Sequence, residues 1–212
     1  MIKRVIFDLD DTLIKWDDSY YDTLDKTLNY YNIKYDNNIK NNLIKAVDDY
    51  ESKYVYYNMQ DMNNLMKEYT NLDLPDDFVY RWTLFLEDCV PSKIDNELID
   101  ILDYLSNKYE LVVLTNWFLD EQVNRLKKCD ILKYFNEVIA TEKVKNKPNK
   151  EAYIKACGPN LTEECIMIGD SLNKDIIPAL ENGLDAILYD YKYKNHDNIK
   201  KVNKLIELKK YL

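Results

Sequence analysis

Five short apolar runs rich in β-branched residues punctuate the chain: "VIFDL" (5–9), "ELVVLT" (110–115), "EVIAT" (137–141), "CIMIGD" (165–170) and "DAILYD" (185–190). Runs of this length without polar alternation read as strands buried on both faces. From residue 110 onward they alternate with helical patterns: "FLDEQVNRLKKC" with Leu119, Val123 and Leu126 on one face, "NKEAYIKACG", and "NKDIIPALENG" stopped by Gly183. Such alternation predicts an α/β fold, a parallel sheet with helices on both faces and a site at the carboxyl ends of its strands.

Between the first and second runs lie about ninety residues with no strand pattern, too many for a loop in a compact domain. They must fold on their own. Helical spacing places helices near 19–31 (Leu24, Leu28, Tyr31), 38–54 (Ile39, Leu43, Val47, Tyr50), 61–69 (Met62, Leu65, Met66, Tyr69) and 76–88 (Phe78, Trp82, Phe85), the last opened by Pro75. Pro91 marks a junction, after which "IDNELIDILDYLSNK" reads as the helix that returns to the sheet. The expected organisation is a core of residues 1–15 and 91–212 carrying an all-helical insertion over 16–90.

The chemistry open to such a chain is narrow. The only histidine, His196, rules out multi-histidine metal sites and makes a histidine base a poor candidate. Cys89, Cys129, Cys157 and Cys165 are too far apart in sequence for zinc or redox motifs and read as buried free thiols. Carboxylates and lysines remain. A formal net charge of −9 has the wrong sign for a nucleic-acid partner. No apolar run approaches membrane-spanning length, and the first run breaks at Asp8, unlike an export signal, so a cytoplasmic protein with no membrane partner is expected. The oligomeric state is left open.

Asp8 and Asp10, two apart where "DLDDT" leaves the first strand, can project into one space. The cost of two adjacent carboxylates falls if one binds a divalent cation and the other keeps its proton. Asp with Thr is also ordinary turn chemistry, and Asp11 reads as turn geometry. "GDSLNKD" (169–175) uses one of only three glycines just before Asp170, which is placed to offer an oxygen to Mg²⁺; the glycine lets the backbone approach a ligand. Asp175, one turn on, orients that shell or caps a helix. Thr115 and Asn116 in "LTNW" suit phosphoryl oxygens, though Asn116 could equally cap a helix. Among Lys143, Lys145, Lys147 and Lys150, the adjacent Pro148 singles out Lys147 as the ammonium that neutralises a transferring phosphoryl group.

In order, "DLDDT", "TN", "KP" and "GDSLNKD" resemble the motif set of the haloacid dehalogenase-like hydrolase superfamily, from residue 4 to about 190. The resemblance implies a Rossmann-like core with a helical cap inserted after the first motif. It also implies that Asp8 is the nucleophile forming an aspartyl-phosphate and Asp10 the acid that protonates the leaving oxygen and then activates water. By the same resemblance Thr115 and Lys147 stabilise the phosphate, while Asp8, the Asp10 carbonyl and Asp170 hold Mg²⁺ with Thr12 and Asp175 in support. Two departures stand out: "TEKVKN" lacks the glycine common before the motif lysine, and Trp117 replaces a small residue, either narrowing the phosphate entrance or packing on the cap.

Asp10 favours phosphoryl transfer over dehalogenation, since a halide leaves without a proton. The expectation is a Mg²⁺-dependent phosphatase acting on a small phosphorylated metabolite. A sugar-phosphate mutase, or a member that only binds, are the alternatives. The insertion carries 15 acidic and 7 basic residues, a net of −8, and 15 of the 27 aromatics. Most of those aromatics, among them Tyr50, Tyr54, Tyr56, Tyr57 and Trp82, read as helix packing. If some face the cleft they suit a neutral ring leaving group, a nucleoside or sugar carrying a single phosphate.

Overall fold

In the computed structural model, which describes residues 1–15, 19–191 and 199–212, Arg4–Phe7 (β1) runs through the middle of a parallel sheet. Glu110–Thr115 (β2) and Glu137–Ala140 (β3) extend the sheet on one side; Cys165–Gly169 (β4), Asp185–Tyr189 (β5) and Lys201–Val202 (β6) extend it on the other. The order is β3-β2-β1-β4-β5-β6. The chain therefore reverses its direction of travel across the sheet beside β1, and the carboxyl ends of β1, β2 and β4 open into the crevice where open α/β sheets bind ligands. The five expected strands are present, and β6 was not expected. Two residues on a sheet edge are too short to carry a periodic signal.

Alternate residues of the central strands feed two cores. Val5, Phe7, Val113 and Ile168 pack under Asn96–Ser106 (α5), whose Ile101, Leu102 and Leu105 are fully buried. Ile6, Val112, Leu114 and Met167 pack on the opposite face with Ala152, Tyr153 and Ala156 of Lys150–Cys157 (α7). Three of the four cysteines are buried and Cys89 is half-buried, all as free thiols.

Among the described residues, four helices stand between β1 and α5: Ser19–Tyr30 (α1), Asn37–Lys53 (α2), Met59–Thr70 (α3) and Phe78–Leu86 (α4). They share a third core around Leu24, Leu43, Tyr50, Met66 and Trp82, and the buried Trp82 Nε1 donates to Thr23 Oγ1 at 2.7 Å. Pro75 lies in the turn ahead of α4, its carbonyl accepting from Phe78 N, so the helix opens three residues later than the proline suggests. The expected start of the insertion at residue 16 lies outside the described residues, as does His196. Among the described residues no helix is long and apolar enough to cross a membrane.

Leu119–Lys128 (α6) departs from its expected face. Its buried residues are Glu121, Gln122, Arg125 and Leu126, whereas Leu119 and Val123 are only half-buried. The helix packs against β3 and α4, and the side it buries carries Arg125 to Asp10 of the site.

Candidate active site

Asp8 follows β1, and its backbone N–H donates to the Ile168 carbonyl of β4 at 2.9 Å, which carries the strand pairing up to the site. Its carboxylate is buried; Oδ2 accepts from Thr12 Oγ1 at 3.1 Å and Oδ1 lies 2.6 Å from Lys147 Nζ. Asp11 takes φ 60°, the left-handed conformation, and its N–H donates to the Ile14 carbonyl, which closes the turn after the motif.

Lys147 is itself buried, and the same ammonium lies 2.6 Å from Asp175 Oδ1. One cation thus bridges two carboxylates. Burial pushes the Asp8 carboxyl up to about 8; the Lys147 charge opposes this and the Asp175 charge adds to it. Burial by itself would lower the Lys147 ammonium, but Asp175 and Asp8 outweigh it and hold the group above its ordinary value. Of the other lysines in the stretch, Lys143 and Lys150 are exposed and Lys145 pairs with Glu151 at 2.7 Å.

After β4 the chain makes one wide helical turn, Leu172–Ile176, which leads into Ile177–Glu181 (α8). Asp175 serves this turn and the site together: Oδ2 accepts from Ser171 N at 3.1 Å while Oδ1 meets Lys147. The space beside Gly169 is filled by Asp175, because a Cβ at residue 169 would stand 2.4 Å from its carboxylate. The glycine was expected to admit a ligand; it admits a neighbouring side chain. Oxygens of Asp8, Asp170 and Asp175 come within 4.8 Å of one another. An all-oxygen carboxylate set of this kind fits a hard divalent cation such as Mg²⁺.

Asp10 takes a different partner. Arg125 Nη1 donates to Oδ1 at 2.7 Å, Tyr20 Oη to the same atom at 3.2 Å, and Gln122 Nε2 to Oδ2 at 3.3 Å. Arg125 is fully buried with its guanidinium 4.8 Å from the centre of the Tyr20 ring. The sequence reading missed this arginine, although with only three in the chain each one merits inspection wherever a forked donor is needed.

Asn116 lines the cavity beside Asp8 and also fixes the chain next to it, while Trp117 is not among the residues that line the cavity. The Asn116 amide bonds the Lys147 backbone, Oδ1 accepting from its N–H at 2.8 Å and Nδ2 donating to its carbonyl at 3.0 Å. Trp117 is buried among Tyr57, Trp82 and Phe118, with ring centroids 5.2–5.6 Å away, and anchors the helical insertion to the core. Thr115, buried at the end of β2, lines the same cavity as Asp8, Asp10, Lys147 and Asp170. From the insertion, Glu51 of α2 reaches this cavity, its carboxylate 2.5 Å from Lys174 Nζ. No local pattern marks it, since it sits beside the apolar face of its helix.

Two curated relatives match about half of the chain. It is 31% identical over 103 residues to the pyrimidine 5'-nucleotidase PynA of Streptococcus pneumoniae, 46% of this chain and 44% of that protein. It is 31% identical over 99 residues to the glyceraldehyde 3-phosphate phosphatase of Methanothermobacter thermautotrophicus, 44% of this chain and 42% of that protein. The chain thus spans less than half the length of either relative in these matches. In fold it is similar to the HAD-hydrolase YfnB of Bacillus subtilis, a magnesium-bound crystal structure, with a TM-score of 0.74 at 22% identity over 100% of this chain and 98% of that one. With a family model matched across residues 5–189, the chain belongs to the haloacid dehalogenase-like hydrolase family.

Proposed function

We propose that the protein is a Mg²⁺-dependent phosphatase that hydrolyses small phosphate monoesters through an aspartyl-phosphate on Asp8. The observation that carries this reading is the buried Lys147 ammonium 2.6 Å from the Asp8 carboxylate, in one cavity with Asp10 and Asp170. The phosphatase and nucleotidase named among its relatives support the same reaction class.

The Asp8 carboxylate attacks phosphorus while the bond to the leaving oxygen breaks, and Asp10 gives that oxygen its proton. Water then attacks the aspartyl-phosphate, passes a proton to Asp10, and releases inorganic phosphate with Asp8 restored. Lys147 and the Thr115 hydroxyl hold the negative charge of the transferring group. Asp8, Asp170 and the Asp10 carbonyl, with Asp175 in support, would hold Mg²⁺, which supplies positive charge against the phosphoryl oxygens. Thr12 steadies the nucleophile. The insertion, taken as residues 16–90, acts as a cap over the core of 1–15 and 91–212. Phosphate release from a panel of monoesters, with Mg²⁺ and with excess chelator, tests the reading; turnover that survives the chelator unchanged would overturn the metal assignment.

A further inference from the structure

The residues that line the Asp8 cavity all carry polar side chains. Among the described residues its wall holds six carboxylates and two ammonium groups, with Thr115, Asn116 and Ser171 between them, and no aromatic or aliphatic side chain. Tyr50, Tyr57 and Trp82 are buried in the core of the helical insertion, Tyr54 stacks on Tyr50 and Tyr56 is exposed. A flat base therefore meets no aromatic side chain in the cavity on which to stack, and these aromatics take the helix-packing reading. The cavity measures about 270 Å³, below the roughly 300–1,000 Å³ of pockets that take drug-sized ligands. In its wall six carboxylates outnumber two ammonium groups, with the Arg125 guanidinium adding a third positive charge at Asp10, so a second phosphate is disfavoured.

One residue of the insertion defines what the leaving group must carry. Glu51 Oε1 accepts from Tyr57 Oη at 2.7 Å and from Asn116 Nδ2 at 3.0 Å, and Oε2 faces Lys174 at 2.5 Å. Burial opposes its charge, yet Lys174 together with the Tyr57 and Asn116 donors holds the carboxyl below its ordinary value, so it stays an acceptor. Lys174 is half-exposed and presents only donors. An acceptor and a donor side by side match a pair of neighbouring hydroxyls, one donating to Glu51 and one accepting from Lys174. An aliphatic chain in their place would desolvate both charges without replacing their bonds.

We infer that Glu51, paired with Lys174, is the specificity-determining residue of the site, and that the substrate is the monophosphate of a small uncharged polyol or sugar. This rests on the phosphatase reading. The test compares kcat/KM for glycerol monophosphate, propyl phosphate, uridine monophosphate, fructose bisphosphate and p-nitrophenyl phosphate, with Mg²⁺ at fixed ionic strength. The wild type is expected to favour glycerol monophosphate over propyl phosphate by roughly tenfold or more, and over uridine monophosphate and the bisphosphate as well. Glu51→Gln, and separately Lys174→Met, should bring the glycerol-to-propyl ratio close to one. Should Glu51→Gln not fold, Lys174→Met on its half-exposed side chain carries the same test. Equal rates for the glycerol and propyl esters, a preference for the nucleotide or the bisphosphate, or variants that slow both esters by the same factor would overturn the inference while p-nitrophenyl phosphate turnover upholds the phosphatase reading. Absence of turnover with every ester would overturn both.

Discussion

Asn116 grips Lys147 by its backbone, accepting from the N–H at 2.8 Å and donating to the carbonyl at 3.0 Å. The two bonds fix where the lysine leaves the chain, and so where its ammonium stands between Asp8 and Asp175. Asn116→Ala is expected to lower kcat roughly 10- to 100-fold, because a displaced ammonium no longer meets the transferring charge. Asn116→Asp keeps the acceptor but loses the donor and should fall between. Steady-state kinetics on a monoester checks both, and an unchanged kcat in Asn116→Ala would detach the clamp from catalysis.

Lys147→Ala should cost roughly 10²–10³ in kcat, whereas Lys143→Ala and Lys150→Ala, both at exposed positions, should leave it nearly unchanged. Asp8→Asn should abolish turnover, since an amide does not attack phosphorus. Asp10→Asn should keep metal and ligand binding and lose the proton transfer. Equal small losses across the three lysines, or a near wild-type rate in Asp8→Asn, would count against the covalent mechanism.

Arg125 orients Asp10 from a fully buried position. Removing it should slow hydrolysis roughly 10- to 100-fold for an alkyl phosphate, whose leaving oxygen needs a proton. The loss in kcat/KM should be smaller for p-nitrophenyl phosphate, whose leaving group departs unprotonated. Arg125→Lys keeps the charge without the planar fork and should recover only part of the rate. The same fractional loss with both esters would mean that the arginine holds the helix and not the acid.

Glu121 is buried on α6 with no hydrogen-bond partner for its carboxylate among the described residues, and Arg125 Nε is 3.7 Å away. Burial, with the nearby charges of Asp10 and Glu87 adding to it, raises its carboxyl well above the ordinary 4.5. A carboxyl raised by folding binds its proton more tightly in the folded state, so it costs no stability below the unfolded value and progressively more as pH rises above it. Glu121→Gln should therefore raise Tm at pH near 7.5, by about 1–3 kcal/mol of stability, and the gain should shrink as pH falls toward 4.5. A gain that does not vary with pH would assign the effect to packing.

Gly169→Ala is expected to destabilise the fold by about 1–3 kcal/mol. The new Cβ meets the Asp175 carboxylate at 2.4 Å, and Asp175 cannot swing aside because Lys147 and the Ser171 N–H hold both its oxygens. Activity should fall with it. Thermal melts and kinetics on one preparation separate the two effects.

The strands, the helical insertion and the positions of Asp8, Thr115, Lys147 and Asp170 were legible in the sequence for one reason. In a parallel sheet whose strands are buried on both faces, apolar runs declare themselves, and whatever polar residue ends each run must gather at the same edge. Tertiary structure alone decided which polar groups meet there from outside those ends. Glu51 and Asn116 are 65 residues apart, Arg125 and Asp10 115 apart, and no local propensity couples them. Periodicity reports that a face is buried, not what it is buried against, which is why α6 was read as an apolar face and is instead the carrier of Glu121, Gln122 and Arg125. Gly169 was noticed for its rarity and explained wrongly, because the close approach it permits is by Asp175, whose placement depends on how the turn after β4 closes. Trp117 likewise had two readings in the sequence, and the docking of the helical insertion on the core selected the packed one.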